Sequence, residues 1–260
     1  MLKNSSSKDF FLSGDSSRLF LNLELGCSSS CSYCYLPSEG LQLGKRPPSE
    51  LSRTPEELLS QLQSDERFKP GRNGTLLSIG CFSECWDLAT RPRTIQLIEG
   101  LLAYDNWIQF ATKREILRRD LEPITKGPNW NGQAVAYISS ATIRQWNLFE
   151  RGTTRPDKRF RSFAACQEVG IRSCLYIKPV LPDVTIRDLD LYSELMRQHD
   201  VDAVVGDLFL PGVATGEIAS PISGNLHVAE HDDAVKLRSG LAALGRVFEN
   251  STKHLGQGSR

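Results

Sequence analysis

The sequence predicts an α/β fold in which six parallel strands alternate with helices and form an open, partial (β/α)6 barrel of the TIM type. Short apolar runs of strand length recur along the chain, and each is followed by a segment with helical spacing of apolar residues or a capping signal. Strands that alternate with helices in this way are usually parallel and joined by right-handed crossovers. Six units are too few for a closed eight-stranded barrel, and an open doubly wound sheet is the alternative.

The first predicted strand covers residues 19–25, where leucines at positions 19, 21, 23 and 25 alternate with other residues. This period of two is typical of a strand with one buried face. Gly26 then interrupts the pattern. The other strands are short apolar runs, predicted at residues 75–80, 107–112, 134–140, 173–180 and 203–210.

Helices are predicted between these strands from capping residues and apolar stripes. The first opens at Thr54-Pro55-Glu56-Glu57, with Thr54 as N-cap, Pro55 at the first helical position and Glu57 as the partner in a capping box. Later helices are predicted over about 92–104, 114–123, 154–168, 187–199 and 233–250. We expect residues 19–250 to form the core domain, with flexible segments at 1–18 and 251–260.

The composition excludes several classes of protein. Lys and Arg together number 31, as do Asp and Glu, so the net charge is zero and lacks the basic excess usual in nucleic-acid binders. No run of about 18 apolar residues is present, so no membrane span is predicted. The polar stretch 1–7 lacks the apolar core of a signal peptide. Seven cysteines without an export signal predict a reducing, cytoplasmic location and no disulfide framework.

Cys27, Cys31 and Cys34 lie within eight residues, on a serine-rich loop directly after the first predicted strand. Three thiolates this close together repel one another unless a cation or a cluster binds them. Soft sulfur ligands suit zinc, copper(I) or iron–sulfur clusters. A closed zinc site takes four protein ligands, and no fourth Cys or His is near in the sequence. Three ligands with one open position suit a cluster that binds something else, and a structural zinc knuckle is the alternative.

The extended motif Gly26-Cys27-x3-Cys31-x-Tyr33-Cys34 resembles that of the radical SAM superfamily, and is most similar to its spore photoproduct lyase-like branch. The resemblance implies that the three cysteines hold a [4Fe–4S] cluster whose fourth iron binds S-adenosylmethionine (SAM). It implies reductive cleavage of SAM to a 5′-deoxyadenosyl radical, which abstracts hydrogen from a substrate. It also implies the (β/α)6 fold and an electron donor such as flavodoxin or ferredoxin.

In parallel α/β folds, ligands bind at the carboxyl ends of the strands. Tyr33 belongs to the cysteine motif itself. Gly80, Ser83 and Glu84 follow the second predicted strand, where the resemblance implies contacts with the amino end of the methionine moiety. Glycine lets the backbone approach a ligand, and Ser or Glu can accept hydrogen bonds from an ammonium group. Ser139 follows the fourth strand, where the resemblance implies a contact with the ribose.

The segment Glu150–Arg159 resembles the Glu-Pro-Gly-Thr…Arg segment of the same branch, with Arg151 in place of the proline. The resemblance implies that Glu150 belongs to the cofactor site and that Arg159 clamps the methionine carboxylate, since a guanidinium group can bind a carboxylate through two hydrogen bonds. Thr112-Lys113 resembles the Thr-Lys pair of that branch, and Lys113 is expected to meet substrate or a carboxylate.

Cys81 and Lys178 are the candidate catalytic residues. Cys81, with Cys85 nearby, is expected at the mouth of the cavity, where a thiol can donate hydrogen, bind a second cluster or simply pack. Two thiols are too few for a cluster, which favours packing or a radical-relay thiol. Lys178 alternates with Cys174 and Tyr176 on one strand face, and lines the substrate cavity if that face points into the barrel.

The sequence therefore predicts a radical SAM enzyme whose substrate is unidentified. A nucleic-acid lesion or nucleobase, a peptide and a small metabolite all stay open, although the zero net charge does not favour nucleic acid. The alternative is a regulatory or scaffold protein that binds metal through the cysteine motif without catalysis. A degenerate site would tend to lose Ser139, Glu150 and Arg159, so their presence favours the enzyme.

Overall fold

Parallel strands form the centre of the fold. The computed structural model describes residues 9–212, 220 and 222–256. Within these residues the strands are β1 (Leu12–Gly14), β2 (Arg18–Leu21), β3 (Ser30–Cys31), β4 (Leu76–Ile79), β5 (Ile108–Thr112), β6 (Ala134–Ser139), β7 (Glu150–Arg151), β8 (Arg172–Ile177), β9 (Ala203–Val205), β10 (Leu208–Pro211), β11 (Leu226–Ala229) and β12 (Val247–Phe248). The helices are α1 (Pro55–Gln63), α2 (Arg91–Leu102), α3 (Arg118–Leu121), α4 (Trp146–Phe149), α5 (Pro156–Arg159), α6 (Arg161–Glu168), α7 (Leu189–His199), α8 (Asp232–Leu241) and α9 (Ser251–Gly256).

Eight of the described strands form one sheet in the order β1-β2-β4-β5-β6-β8-β9-β12. From β2 to β12 every neighbouring pair is parallel, whereas β1 pairs with β2 in the antiparallel direction. The six strands β2, β4, β5, β6, β8 and β9 correspond to the six predicted, and a helix lies between each strand and the next. The predicted fold class, a partial TIM-type barrel of parallel strands, is confirmed.

The two faces of the sheet carry different neighbours, which distinguishes the barrel from a doubly wound sheet. On one face, strand residues such as Leu77 and Phe110 share a large apolar cluster with helix residues such as Leu58, Leu101 and Leu237. The other face holds a smaller cluster that includes no residue of α1 to α8, formed by Leu76, Val135, Tyr137, Cys174, Val204, Phe248 and Leu255. A doubly wound sheet packs helices on both faces. The smaller cluster therefore lies inside the barrel.

Helix α1 begins as its sequence predicts. The backbone N–H of Glu57 donates to Thr54 Oγ1 (3.2 Å), and the Thr54 N–H donates to the Glu57 carboxylate (2.8 Å), which completes the capping box. Pro55 occupies the first helical position. None of the described helices has an apolar run long enough to cross a membrane.

All six strands are shorter than predicted, and the first and the sixth differ most. The first strand ends at Leu21, because the Asn22 side chain donates to the Phe10 carbonyl and accepts from the Phe82 N–H, both at 2.8 Å. The sixth strand ends at Val205, and the chain then leaves the sheet so that β10 pairs with β11 in a separate hairpin.

Some helices also differ from their predicted lengths. The helix predicted over 154–168 is divided into α5 and α6, and Thr154 makes no cap because α5 begins at Pro156. The last predicted helix, 233–250, ends at Leu241. Val247 and Phe248 instead form β12, which pairs with the exposed edge of β9 and so satisfies its backbone groups.

The ordered structure extends beyond the expected limits at residues 19 and 250. At the start, β1 adds an antiparallel strand, and Phe11 and Leu12 are buried. At the end, α9 buries His254 and Leu255. These segments are ordered because they cover apolar surface at the sheet edge and inside the barrel. The remaining parts of the two expected flexible segments, 1–8 and 257–260, lie outside the described residues.

Helix α9 closes the base of the barrel through a buried polar contact. The Tyr137 hydroxyl meets His254 Nδ1 at 2.7 Å, inside the barrel. The other ring nitrogen, Nε2, lies 2.8 Å from an Arg172 nitrogen and 3.3 Å from an Asp202 carboxylate oxygen. With its polar atoms paired, His254 can be fully buried. The interior is thus filled at the base and accessible at the opposite end, where the strands terminate.

Candidate active site

A cavity of about 240 Å³ opens at the carboxyl ends of the strands. Its wall combines the cysteine loop with residues at or just after the ends of β4, β5, β6, β8 and β9. The polar and sulfur-containing residues among those that line it include Arg18, Cys27, Cys31, Tyr33, Cys34, Tyr35, Ser78, Cys81, Ser83, Glu84, Gln109, Lys113, Ser139, Tyr176, Lys178 and Asp207. Most of the predicted site residues are therefore brought together, whereas Glu150 and Arg159 do not line the cavity.

The cysteine loop is fixed at both of its ends. Gly26, just before Cys27, has a φ of +113° that side chains rarely tolerate, and its N–H donates to the Phe82 carbonyl at 2.9 Å. Further along the loop, β3 pairs with β7, which places Cys31 opposite Glu150. These contacts set the direction in which the loop presents its thiols to the cavity.

The three cysteines of the loop are neutral thiols unless a metal group binds them. Burial raises the pKa of Cys27 to about 12 and that of Cys31 to about 11, and it also raises the pKa of Cys34. The Glu84 carboxylate and the charges of the other two cysteines add to the rise at Cys27. Three thiolates can therefore coexist here only with a strongly positive partner.

The arrangement of these thiols fits a cluster better than a single metal ion. Among the described residues, no three His, Cys, Asp or Glu side chains are grouped so that they could hold one ion. The cysteine ligands of a [4Fe–4S] cluster bind different irons, so they need not converge on one point. Three soft sulfur donors on one wall of a cavity, with space beside them, fit such a cluster.

Glu150 and Arg159 form a fully buried ion pair, with a nitrogen-to-oxygen distance of 2.6 Å. The other N–H groups of the Arg159 guanidinium donate to the Ser139 carbonyl, the Thr153 hydroxyl and the Thr154 carbonyl at 2.7–3.1 Å. All of its nitrogens are thus occupied. Arg159 lies outside the cavity wall, because its contact with buried Glu150 directs it away from the cavity.

The second carboxylate oxygen of Glu150 connects two parts of the site. It accepts hydrogen bonds from the Tyr33 hydroxyl and the Ala141 N–H, both at 2.8 Å. Burial by itself would raise the pKa of Glu150, but the charges of Arg159 and Lys113 and the Ala141 N–H together hold it below its usual value. Glu150 is therefore an ionised anchor for the cysteine loop, and Tyr33 connects it to the cavity wall.

Lys113 is a cation of this network that lines the cavity. Its ammonium group lines the cavity and donates to the Ser139 hydroxyl at 2.8 Å, with the Tyr33 ring centre 5.7 Å away. Burial raises the thiol pKa of both Cys31 and Cys34, and the positive charge of Lys113 works against that rise at each. Lys113 is thus a cation close to two of the three cysteines.

The loop after β4 supplies acceptors and a tight turn. Glu84 lines the cavity and accepts the Lys113 backbone N–H at 2.9 Å. The Ser83 hydroxyl oxygen is buried and has no hydrogen-bond partner among the described residues. Gly80 has a φ of +84°, and a Cβ there would lie 2.7 Å from Cys85 Cβ. The glycine is therefore required by packing, in addition to any approach of a ligand.

The two cysteines of this loop have different surroundings. Cys81 lines the cavity, and burial raises its pKa to about 11, so it is a neutral thiol at physiological pH. Cys85 is buried outside the cavity wall, and its thiol lies 3.7 Å from the Ala111 carbonyl oxygen. Cys81 is thus accessible from the cavity, whereas Cys85 belongs to the core.

Sequence reasoning missed several residues of the cavity wall. Lys178 and Tyr176 line the cavity, as their alternation suggested, but Arg18 and Gln109 were not proposed. A signal was present, since the period of two places Arg18 on the strand face opposite Leu19. In the structure that face points into the barrel. Tyr35 also lines the wall and donates its hydroxyl to the Cys81 carbonyl.

No protein-family model matches the chain, and no curated protein matches its sequence. Solved structures do match. A variant of spore photoproduct lyase superposes with a TM-score of 0.67 at 17% identity, over 96% of this chain and 79% of its own. A second variant, with bound AdoMet and dinucleoside spore photoproduct, gives 0.65 at 16% identity over 89% and 76%. Streptococcus suis SuiB bound to S-adenosylmethionine gives 0.57 at 13% identity over 92% of this chain and 48% of SuiB. The chain spans about half of SuiB, and these likenesses show a shared fold.

The buried ion pair leads to a test of stability. Arg159→Ala should lower the free energy of unfolding by about 3–5 kcal/mol, because it leaves the Glu150 carboxylate buried without its partner. Arg161 is exposed, and Arg161→Ala should change stability by less than about 0.5 kcal/mol. Urea unfolding of both variants measures the difference. An Arg159→Ala protein of unchanged stability that bound SAM less tightly would return the clamp to Arg159.

Proposed function

We propose that the chain is a radical SAM enzyme, in which Cys27, Cys31 and Cys34 hold a [4Fe–4S] cluster that supplies the electron for cleavage of SAM to methionine and a 5′-deoxyadenosyl radical. The observation that carries the proposal is the position of this cysteine motif, on one wall of a cavity at the carboxyl ends of a partial (β/α)6 barrel. Spore photoproduct lyase and SuiB, which share the fold, are radical SAM enzymes, and structures of both contain bound SAM.

Lys113 and Glu84 are the residues we assign to the methionine end of SAM. The Lys113 ammonium can form a charge-assisted hydrogen bond with a carboxylate, and Ser139 orients it by accepting one of its hydrogen bonds. The Glu84 carboxylate and the unpaired Ser83 hydroxyl oxygen can accept from an ammonium group. The two sets of groups lie on adjacent strand ends, as the two charged groups of one amino acid require.

Cys81 is the residue we assign to hydrogen-atom transfer. A thiol that donates a hydrogen atom must keep its proton, and burial keeps Cys81 protonated at physiological pH. Its position on the cavity wall lets the S–H group reach a radical in the cavity. Donation would leave a thiyl radical on Cys81. The substrate is not identified by these features, and the electron comes from an external reductant such as flavodoxin or ferredoxin.

The first test is the metal content of the anaerobically purified protein. We expect about four iron and four sulfide per chain, which is the content of one cubane. Replacement of Cys27, Cys31 and Cys34 with Ala should remove both, whereas Cys85→Ala and Cys166→Ala should retain both. One zinc without sulfide would support the regulatory or scaffold protein instead. About eight iron per chain would place a second cluster on Cys81 and Cys85.

The second test concerns Lys113. Lys113→Gln should weaken SAM binding by about ten- to a hundredfold, since a charge-assisted hydrogen bond contributes about 1.5–3 kcal/mol and each 1.4 kcal/mol is tenfold. Lys158 is exposed on α5, and Lys158→Gln serves as the matched control. Equilibrium binding of SAM to the reconstituted variants measures the effect, with cluster absorbance recorded in parallel. Equal affinities for the two variants would exclude Lys113 as the carboxylate ligand.

The third test follows the hydrogen of Cys81. In D2O the thiol carries deuterium, so 5′-deoxyadenosine formed by SAM cleavage without substrate should acquire deuterium from Cys81. Cys81→Ala should lose most of this label, while Cys85→Ala should keep it because Cys85 does not line the cavity. Mass spectrometry of 5′-deoxyadenosine gives the deuterium content. Undiminished label in Cys81→Ala would show that another group donates.

A further inference from the structure

Two cations in the cavity wall, Arg18 and Lys178, have donor groups that no described residue satisfies. Arg18 uses its Nε–H to donate to the Ser78 hydroxyl at 2.8 Å. Its two terminal nitrogens make no hydrogen bond with a described residue, and neither does the Lys178 ammonium. Within the described part of the chain, no carboxylate lies within the 4.0 Å of an ion pair with either side chain.

The other cations around the cavity are paired, which makes these two exceptional. Arg159 has every nitrogen occupied, and Lys113 donates to Ser139 with the Glu150 carboxylate 3.9 Å away. A cation removed from bulk water without an anion loses solvation that nothing restores. A protein keeps such a group where a ligand supplies the missing charge.

The two cations are held facing the same space. The Arg18 guanidinium carbon lies 4.7 Å from the centre of the Phe20 ring, and Gln109 Nε2 donates at 2.8 Å to the same Ser78 hydroxyl that accepts from Arg18. Lys178 lies with its Nζ 4.3 Å from the centre of the Phe209 ring. These contacts hold the charged ends of both side chains, and both residues line the same cavity.

We propose that Arg18 and Lys178 bind an anionic group, a phosphate or a carboxylate, on the molecule that occupies the barrel interior. A guanidinium and an ammonium group that share one anion supply several charge-assisted donors, which is the usual chemistry of phosphate and carboxylate sites. That this molecule is the substrate of the radical rests on the proposed function, whereas the anion site itself does not.

The site is separate from the one assigned to the SAM carboxylate. Burial raises the thiol pKa of Cys81, and the positive charges of Arg18 and Lys178 oppose that rise. The positive charge of Lys113 opposes the rise in thiol pKa at Cys31 and Cys34 instead. An anion bound by Arg18 and Lys178 would therefore lie on the Cys81 side of the cavity, whereas Lys113 lies beside Tyr33 of the cysteine loop.

The surroundings of Lys178 give the site a pH dependence. Burial, together with the Arg18 charge, lowers the pKa of Lys178 to about 8. The groups that face it are Arg18 of β2, Cys81 after β4, Tyr176 of β8 and Asp207 after β9. Cys81 and Tyr176, with pKa values raised by burial to about 11 and about 12, keep their protons near pH 8. As the pH rises through 8, Lys178 loses its charge and the anion should bind less tightly.

The experiment measures anion binding to the anaerobically prepared wild-type holoprotein by titration calorimetry, with inorganic phosphate and acetate as separate probes. Arg18→Gln and Lys178→Gln should each weaken binding by about ten- to a hundredfold. Arg119 and Lys126 are exposed, and Arg119→Gln and Lys126→Gln should bind as the wild type does. Phosphate bound more tightly than acetate indicates a phosphorylated molecule, and the reverse order indicates a carboxylate. Thermal unfolding of each variant confirms that it is folded.

A second arm uses sulfate, which does not titrate between pH 6 and 9. Its affinity for the wild type should fall above pH 8, while Lys178→Gln should show no such step. The proposal is overturned if neither phosphate nor acetate binds, or if all four variants bind alike, or if the wild-type profile is flat through pH 8. Cluster content and SAM cleavage are assayed in the same wild-type preparation, so a failure of the radical chemistry and a failure of the anion site are recorded separately.

Discussion

The buried ion pair between Glu150 and Arg159 is the contact on which the geometry of the site depends. It joins β7, which pairs with the cysteine loop, to helix α5 and to the carbonyl at the end of β6. Two buried charges stabilise a fold only when their hydrogen bonds are complete. Here the carboxylate accepts from three partners and the guanidinium donates through every nitrogen. The pair therefore fixes one position of the loop, and through it the direction of the three thiols.

The cations of the site differ in how completely their donors are used, and this difference separates their roles. Arg159 is saturated by protein groups and supports the fold. Lys113 donates to one hydroxyl and keeps capacity for a further acceptor. Arg18 and Lys178 have charged ends that meet no anion among the described residues. Because an unpaired buried donor costs more than a paired one gains, the degree of saturation indicates which cations await a ligand.

Features with a local physical cause could be predicted from the sequence. The strands followed from alternation of apolar residues, and the start of α1 from the capping residues Thr54 and Glu57, because these patterns depend on neighbours a few residues apart. The three cysteine positions were predictable for the same reason. The place of Arg159 outside the cavity wall could not be predicted, since motif position does not show which way a side chain points.

Other features depend on contacts between distant segments, and the sequence does not show them. Arg159 is held in place by its ion pair with Glu150, and the pairing of β3 with β7 positions Glu150. The position of Arg18 in the cavity wall depends on its contact with Ser78, which also accepts from Gln109 of a neighbouring strand. The polar composition of the last residues suggested a tail, although His254 finds its partners in Tyr137, Arg172 and Asp202, all more than 50 residues away.

Helix α9, which closes the base of the barrel, also contributes Ser251 to the cavity wall. Burial raises the pKa of Tyr176 to about 12, and the nearby Ser251 moderates that rise, so the helix reaches the interior surface directly. The floor of the binding chamber is therefore an appended element, separate in sequence from the loop that carries the cysteines. A larger or smaller side chain at position 251 would alter how deep a molecule can reach, while the chemistry at the rim stays unchanged. The depth of the cavity and the position of the three cysteines are therefore determined by parts of the chain that can vary independently.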